Sequence, residues 1–219
     1  MPLRKLVVLA VLFSVFAVWA KEPITHESMW LMKRVGAPVP SPDGRWVVFS
    51  VTEPAYEEKD QVSDLWIAPT DGSAPPRRLT FTKSAESGAA WSPDSRRIAF
   101  SARREGDEAA QIYVLDLAAG GEAVRVTSLS TGASAPRWSP DGKLLSFVSM
   151  VYPGAADDEA NKKIAAERKA RKYNARIYES FPVRYWDRWL DDTQPHLFVQ
   201  AAEPGAKARD LLAGTRLAA

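Results

Sequence analysis

Aromatic rings and arginines crowd the run Phe181-Pro182-Val183-Arg184-Tyr185-Trp186-Asp187-Arg188-Trp189-Leu190. Such a run is either a loop packed beneath a neighbouring segment or the lining of a mouth. In the second case Arg184, Trp186, Arg188 and Trp189 meet a ligand. A basic concentration lies just before it, at Lys162, Lys163, Arg168, Lys169, Arg171, Lys172 and Arg176. It would hold a phosphate or a membrane surface, or it is the solvated face of a helix that begins at Asp157, Asp158 and Glu159. Covalent chemistry has little to work with. His26 and His196 are the two histidines, and the sequence arranges no serine and acid around either. A serine nucleophile on a strained strand-to-helix turn needs G-x-S-x-G; the chain has no such pentapeptide, and Gly132-Ala133-Ser134-Ala135-Pro136 ends in proline. Isolated histidines without cysteine give no metal-ligand cluster and no disulfide, and no glycine-rich phosphate loop occurs. No catalytic residue, metal or cofactor is expected in this chain.

The elements that position these residues are repeats. Ser41-Pro42-Asp43-Gly44-Arg45, Ser92-Pro93-Asp94-Ser95-Arg96 and Ser139-Pro140-Asp141-Gly142-Lys143 each precede an apolar run, and their prolines are 51 and then 47 residues apart. That period is one propeller blade. Proline presets φ, aspartate bonds its own backbone and glycine accepts positive φ, so each copy is a tight turn feeding a strand. Third strands follow at Asp64-Leu65-Trp66-Ile67-Ala68, Gln111-Ile112-Tyr113-Val114-Leu115-Asp116 and His196-Leu197-Phe198-Val199. Arg77-Arg78-Leu79-Thr80 and Val124-Arg125-Val126-Thr127 close two units, with 207–212 as a weaker third copy. The fold class is thus all-β, with three blades of four antiparallel strands at about 35–80, 88–127 and 134–212.

Blades pack on both faces, so inner strands lose in/out alternation. Trp66, Trp91 and Trp138, with Phe49, Phe100 and Phe147, are expected to fill the spaces between successive blades. The outer faces of blades one and three are then uncovered, because a lone blade face cannot be buried without a neighbour. The third blade is too long: about 152–193 is inserted between its second and third strands. Ala166, Ala170, Tyr173 and Ile177 fall at i, i+4, i+7 and i+11, which predicts a helix docked by that stripe. Residues 21–34 form a lead-in, with a short amphipathic helix started by Thr25 and Glu27.

Arg4 and Lys5 precede an apolar run from Leu6 to Ala20, and Val18-Trp19-Ala20 suits a cleavage site. This reads as a signal peptide over 1–20. This run of 15 residues is short of the roughly 20 that a membrane span needs, so no stable membrane anchor is expected and the destination is periplasmic or extracellular. The chain carries 29 basic and 27 acidic residues, and loss of the leader leaves 27 against 27. Nothing in that balance favours a nucleic-acid partner.

The leader, the lead-in Thr25-His26-Glu27-Ser28-Met29-Trp30-Leu31-Met32, the three turns, and Phe181 to Leu190 followed by His196-Leu197-Phe198-Val199 together resemble the propeller of exported prolyl oligopeptidase-family serine peptidases. The likeness is to the dipeptidyl peptidase and acylaminoacyl-peptidase branch. TolB-like propellers share the turn, and the aromatic-arginine stretch inside a long blade insertion is the much more specific part of the resemblance. The resemblance implies a propeller that gates an α/β-hydrolase domain, with short peptides as substrates. It also implies a pair of glutamates that captures the substrate's α-ammonium, since two fixed carboxylates in a partly desolvated cleft favour a cation. Tyr56-Glu57-Glu58 has that look, although Glu57 and Glu58 follow the first blade's second strand and also read as a solvated hairpin loop. With three blades where four to eight are usual and no G-x-S-x-G, the chain reads as a partial TolB-like propeller, an N-terminal piece of a longer peptidase. Its partners would be the missing catalytic domain or a second copy through open blade faces. The other reading is a free-standing periplasmic TolB-like interaction scaffold.

Signal peptidase is expected to cut between Ala20 and Lys21. N-terminal sequencing of exported protein should start at Lys21, and a start at Met1 or Pro2 would contradict the leader.

Overall fold

The computed structural model describes residues 23–57, 60–83, 85–173, 175, 178, 181–190 and 193–218. The expected signal peptide lies outside them. Of these, residues 23–32 belong to one unit and those from Lys33 to another. In the first unit α1 (His26–Trp30) starts on a capping box: Thr25 Oγ1 accepts from the Ser28 N–H at 3.0 Å and Ser28 Oγ from the Thr25 N–H at 2.9 Å. No residue of α1 is buried.

Among the described residues the second unit contains three blade sheets and one two-stranded hairpin, all antiparallel. In the first, β3 (Trp46–Glu53), β4 (Val62–Pro69) and β5 (Arg77–Arg78) run in order, and the innermost strand is split into β1 (Arg34–Val35) and β2 (Val39–Pro40), both paired with β3. The second runs β6 (Glu86–Trp91), β7 (Arg97–Ala102), β8 (Gln111–Asp116), β9 (Val124–Arg125). The third runs β10 (Ser134–Trp138), β11 (Leu144–Val151), β14 (Gln194–Ala201), β15 (Arg209–Asp210). Between β11 and β14 the chain forms α2 (Asp158–Lys169) and a separate hairpin of β12 (Arg184–Tyr185) and β13 (Arg188–Trp189). These are blades of a partial TolB-like propeller.

The Ser-Pro-Asp-Gly turns are three copies of one hydrogen-bonded clamp. Each serine hydroxyl donates to the aspartate two residues on. It also accepts the main-chain N–H five residues on: Trp46 to Ser41 at 3.0 Å, Arg97 to Ser92 at 2.9 Å, Leu144 to Ser139 at 2.9 Å. The aspartates in turn accept from the N–H of Arg45, Arg96 and Lys143, each at 3.1 Å. The fourth position has φ of 69° at Gly44, 58° at Ser95 and 68° at Gly142, so the second copy places a serine in a conformation that glycine takes freely.

Packing between blades repeats as well. Phe100 and Tyr113 stack on the face of blade two that meets Val48, Leu65 and Ile67 of blade one. Phe147 and Phe198 stack on the face of blade three that meets Ala99 and Ile112 of blade two. The Trp91 indole N–H reaches back to the Val39 carbonyl at 2.9 Å, and the Trp138 indole N–H to the Ala90 carbonyl at 3.0 Å. Pro40 holds the matching position in blade one and has no such donor.

Phe49 and Trp66 depart from expectation. They pair across β3 and β4 as Phe100 and Tyr113 pair in blade two, so they share the face that each blade turns toward its predecessor. They are half-buried and stand apart from the cluster between blades one and two. Val48, Leu65 and Ile67, one residue out of phase, fill that space instead. The α2 stripe is corrected too. Ala166 and Tyr173 are exposed, and Ile177 lies outside the described residues. The helix docks through Asn161, which is buried; its Oδ1 accepts from Tyr152 N–H at 2.8 Å and its Nδ2 donates to the Met150 carbonyl at 3.1 Å.

Phe147→Ala should lower stability by about 3–5 kcal/mol in urea unfolding, and Phe49→Ala by clearly less. Equal losses would refute the assigned faces. Asp43, Asp94 and Asp141 are held below the ordinary aspartate value of 3.8, first by the serine hydroxyl and then by the main-chain N–H. Such a group adds stability that is complete above its unfolded pKa and is lost as pH falls through the folded one. Stability should therefore drop as pH is taken below about 4, with a shallower slope in Asp94→Asn; an unchanged slope would count against the clamp.

Candidate functional site

In an antiparallel blade the connections after strands two and four share one end, opposite the Ser-Pro-Asp-Gly turns. That end holds the chain's irregular chemistry. Blade one contributes the loop between Glu53 and Val62, blade two the loop Arg103–Asp107, and blade three the whole insertion between Val151 and Gln194. Glu57 is exposed in the first of these, and its carbonyl accepts the Asp60 N–H at 3.0 Å. Glu58 lies outside the described residues.

The aromatic-arginine run forms the β12–β13 hairpin, with Arg184 opposite Trp189 and Tyr185 opposite Arg188. Trp186 begins its two-residue turn at φ 54° and is 82% exposed. The Arg184 guanidinium lies over the Trp189 ring, 5.7 Å from its centroid, a cation–π geometry. Tyr178 supports the base through a 2.9 Å bond from its hydroxyl to the Leu190 carbonyl. The structure thus brings Arg184 and Trp189 together, leaves Trp186 in solvent and describes no contact from the hairpin to Glu57. Of the basic run, Lys162, Lys163, Lys169, Arg171 and Lys172 are exposed, Arg168 lies over the Tyr152 ring, and Arg176 is outside the described residues.

His196 is more organised than its sequence context suggests. It is buried; its Nδ1 is 2.6 Å from Asp210 Oδ2, and Ser149 stands opposite it on β11. Ser149 does not serve it, because its hydroxyl donates to the Gly132 carbonyl at 2.6 Å. These three residues tie strands together. His26 belongs to the other unit. Among the described residues no group of three or more histidines, cysteines or carboxylates could hold a metal.

Sequence reasoning missed a groove between blades one and two. It has a volume of about 870 Å³ and is lined by Thr82, Lys83, Arg103, Arg104, Glu105, Gly106 and Asp107. Arg104 forms its floor over the Tyr113 ring, 4.5 Å from the centroid, and lies 3.6 Å from both Glu86 and Glu122. Glu86 is 1% exposed, and burial raises its carboxyl above the ordinary 4.5 against the pull of Thr80, Thr82 and Arg104. Burial, with the Asp107 carboxylate accepting its hydroxyl proton, pushes Tyr113 up to about 12. The signal in sequence was slight: a glutamate opening a strand of small residues, and two arginines just after the next strand.

The sequence profile of the TolB beta propeller domain family matches residues 26–171. Dipeptidyl-peptidase 5 of Porphyromonas endodontalis is 30% identical over 198 residues, which is 87% of this chain and 26% of that protein. The chain therefore spans about a quarter of that relative. Among solved structures, the uncomplexed acylaminoacyl peptidase of Pyrococcus horikoshii superposes with a TM-score of 0.58 at 17% identity, over 84% of this chain and 26% of that one. An acylaminoacyl peptidase in complex with Z-Gly-Gly-Phe-chloromethyl ketone gives 0.60 at 15%, over 85% and 26%. These two show the fold. Among the described residues no helix is long and apolar enough to cross a membrane.

Proposed function

Because the chain belongs to the TolB β-propeller domain family and is homologous to dipeptidyl-peptidase 5, we propose that it is the substrate-admitting propeller part of an exported serine exopeptidase. Short peptides are its ligands, and an α/β-hydrolase domain supplies the nucleophile, since G-x-S-x-G does not occur in these residues. The observation that carries this reading is the gathering of three unlike connections at one end of the blades: the Glu57 loop, the Arg103–Asp107 loop and the Arg184–Trp189 hairpin. A rigid scaffold with variable loops at one end is a common basis for binding. In this reading Glu57 and Glu58 hold the α-ammonium of the incoming peptide. Arg184, Trp186, Arg188 and Trp189 form the rim that receives it.

The leader-free chain should hydrolyse no aminoacyl, dipeptidyl or acylaminoacyl substrate. In calorimetric titration it should bind a dipeptide with a free amine better than its N-acetylated form, and Glu57→Gln should weaken the first about tenfold while sparing the second. Turnover that a serine-directed phosphonate stops would overturn the division of labour. Equal affinity for both peptides, unchanged by Glu57→Gln, would remove ammonium capture and favour a scaffold that binds a protein partner.

A further inference from the structure

The repeat supplies its own control for the groove between blades one and two. Leu79 and Thr80 make the same two bonds as Val126 and Thr127: Leu79 N–H to the Leu65 carbonyl at 2.7 Å and Val126 N–H to the Ile112 carbonyl at 2.9 Å, then Leu65 N–H to Thr80 Oγ1 at 2.9 Å and Ile112 N–H to Thr127 Oγ1 at 2.8 Å. The offset of 47 residues continues to Trp91 and Trp138, so Lys83 corresponds to Ser130. At Ser130 a carboxylate is bound. Asp158, from the start of α2, accepts the Ser130 N–H at 3.0 Å and the Ser130 hydroxyl at 2.8 Å. The boundary between blades two and three is thus closed by an acidic group that the insertion brings with it.

The boundary between blades one and two has no insertion, and Lys83 and Arg103 are largely unspent there, whereas Arg104 lies on Tyr113, donates to the Ala123 carbonyl at 3.3 Å and approaches Glu86 and Glu122. Lys83 has no hydrogen-bond or ion-pair partner among the described residues. Arg103 uses its Nε on the Asp107 carbonyl at 3.1 Å, which orients the guanidinium, while its two terminal nitrogens have no partner among the described residues. Arg104 Nε is buried without a hydrogen bond, and its carboxylate contacts are long at 3.6 Å. The acids nearby do not fill the site: Asp107 is committed to Arg125 at 2.7 Å and to the Tyr113 hydroxyl, and Glu86 is behind Arg104. Glu105 alone is an exposed acid in the lining.

We propose that this groove is a carboxylate-binding site for short peptides, with the anion held between Lys83 and the Arg103 guanidinium in the place where Asp158 sits at the next boundary. The main-chain N–H of Lys83 corresponds to the Ser130 N–H that Asp158 engages. A planar guanidinium beside an ammonium suits a carboxylate. The site goes beyond the peptidase reading, because it reads the acidic end of a peptide and needs neither Glu57 nor the hairpin.

The test uses the leader-free chain and three probes: trialanine as the free acid, trialanine amide, and acetyl-Ala-Glu-Ala-amide. The free acid should bind about tenfold or more tightly than the amide, and the affinity should fall with added salt. Lys83→Glu with Arg103→Glu should abolish that preference while leaving the thermal unfolding midpoint unchanged, since both residues are exposed. If the side-chain acid binds as well as the free acid, the ligand is any acidic peptide; if only the free acid binds, it is the C-terminal carboxylate. Equal affinity of acid and amide, or a preference that survives the double reversal, overturns the site. Binding that depends on Glu57 but not on the carboxylate would overturn it and leave the proposed function standing.

Discussion

A blade that is apolar on both faces cannot be stable by itself, and every other feature of the molecule answers to that constraint. A buried phenylalanine contributes roughly 1.5–3 kcal/mol, but only if something covers it. In this chain the cover is always the neighbouring blade: Phe100 and Tyr113 are covered by blade one, Phe147 and Phe198 by blade two. Apolar packing has no direction, so it does not fix how far one blade slides along the next. The indole N–H bonds from Trp91 to Val39 and from Trp138 to Ala90 supply that register. They also satisfy donors that would be costly if buried unpaired.

The Ser-Asp clamps serve the same end from the other side. Each fixes the entry of a second strand by main-chain bonds to one serine and one aspartate, so strand two starts in the same place in every copy. Links also cross between turns. The Asp43 N–H donates to Ser95 Oγ at 3.1 Å, and Arg97 donates to the Gly142 carbonyl at 3.0 Å while lying 4.5 Å from the Trp138 ring centroid. The clamped end is therefore nearly invariant from blade to blade. Loop length varies only at the opposite end.

That division explains what the sequence made legible. A turn is local, and Ser-Pro-Asp-Gly carries its mechanism in four residues, so three blades could be read without coordinates. The face of a strand is not local. Trp46, Val47, Val48 and Phe49 are apolar in succession, and alternation cannot choose between Val48 and Phe49 when both sides of the sheet are covered or large. The choice is made by the partner blade, which packs on Val48, Leu65 and Ile67 and leaves Phe49 and Trp66 on the other face. The phase of α2 departs from its apolar stripe for a related reason: Asn161 docks the helix by satisfying Met150 and Tyr152 backbone groups. A polar anchor leaves no periodic trace.

The site residues divide along the same line. The aromatic-arginine run was visible because its composition is unusual, and the structure adds that Arg184 and Trp189 meet across a hairpin. The groove was invisible because its cations come from separate segments, Lys83 before the first strand of blade two and Arg103 after its second strand, and the pairing of Glu86 with Ala102 joins them. Comparing one blade boundary with the next recovers what composition could not. The two boundaries share the Leu79/Val126 and Thr80/Thr127 bonds and differ in the carboxylate at the next three residues, so that difference is not demanded by the bonds they share. Asp158 at Ser130 shows that the scaffold accepts a carboxylate at that place without strain. The unpaired Lys83 and half-committed Arg103 at the equivalent place are therefore a charge arrangement that folding alone gives no reason to keep open.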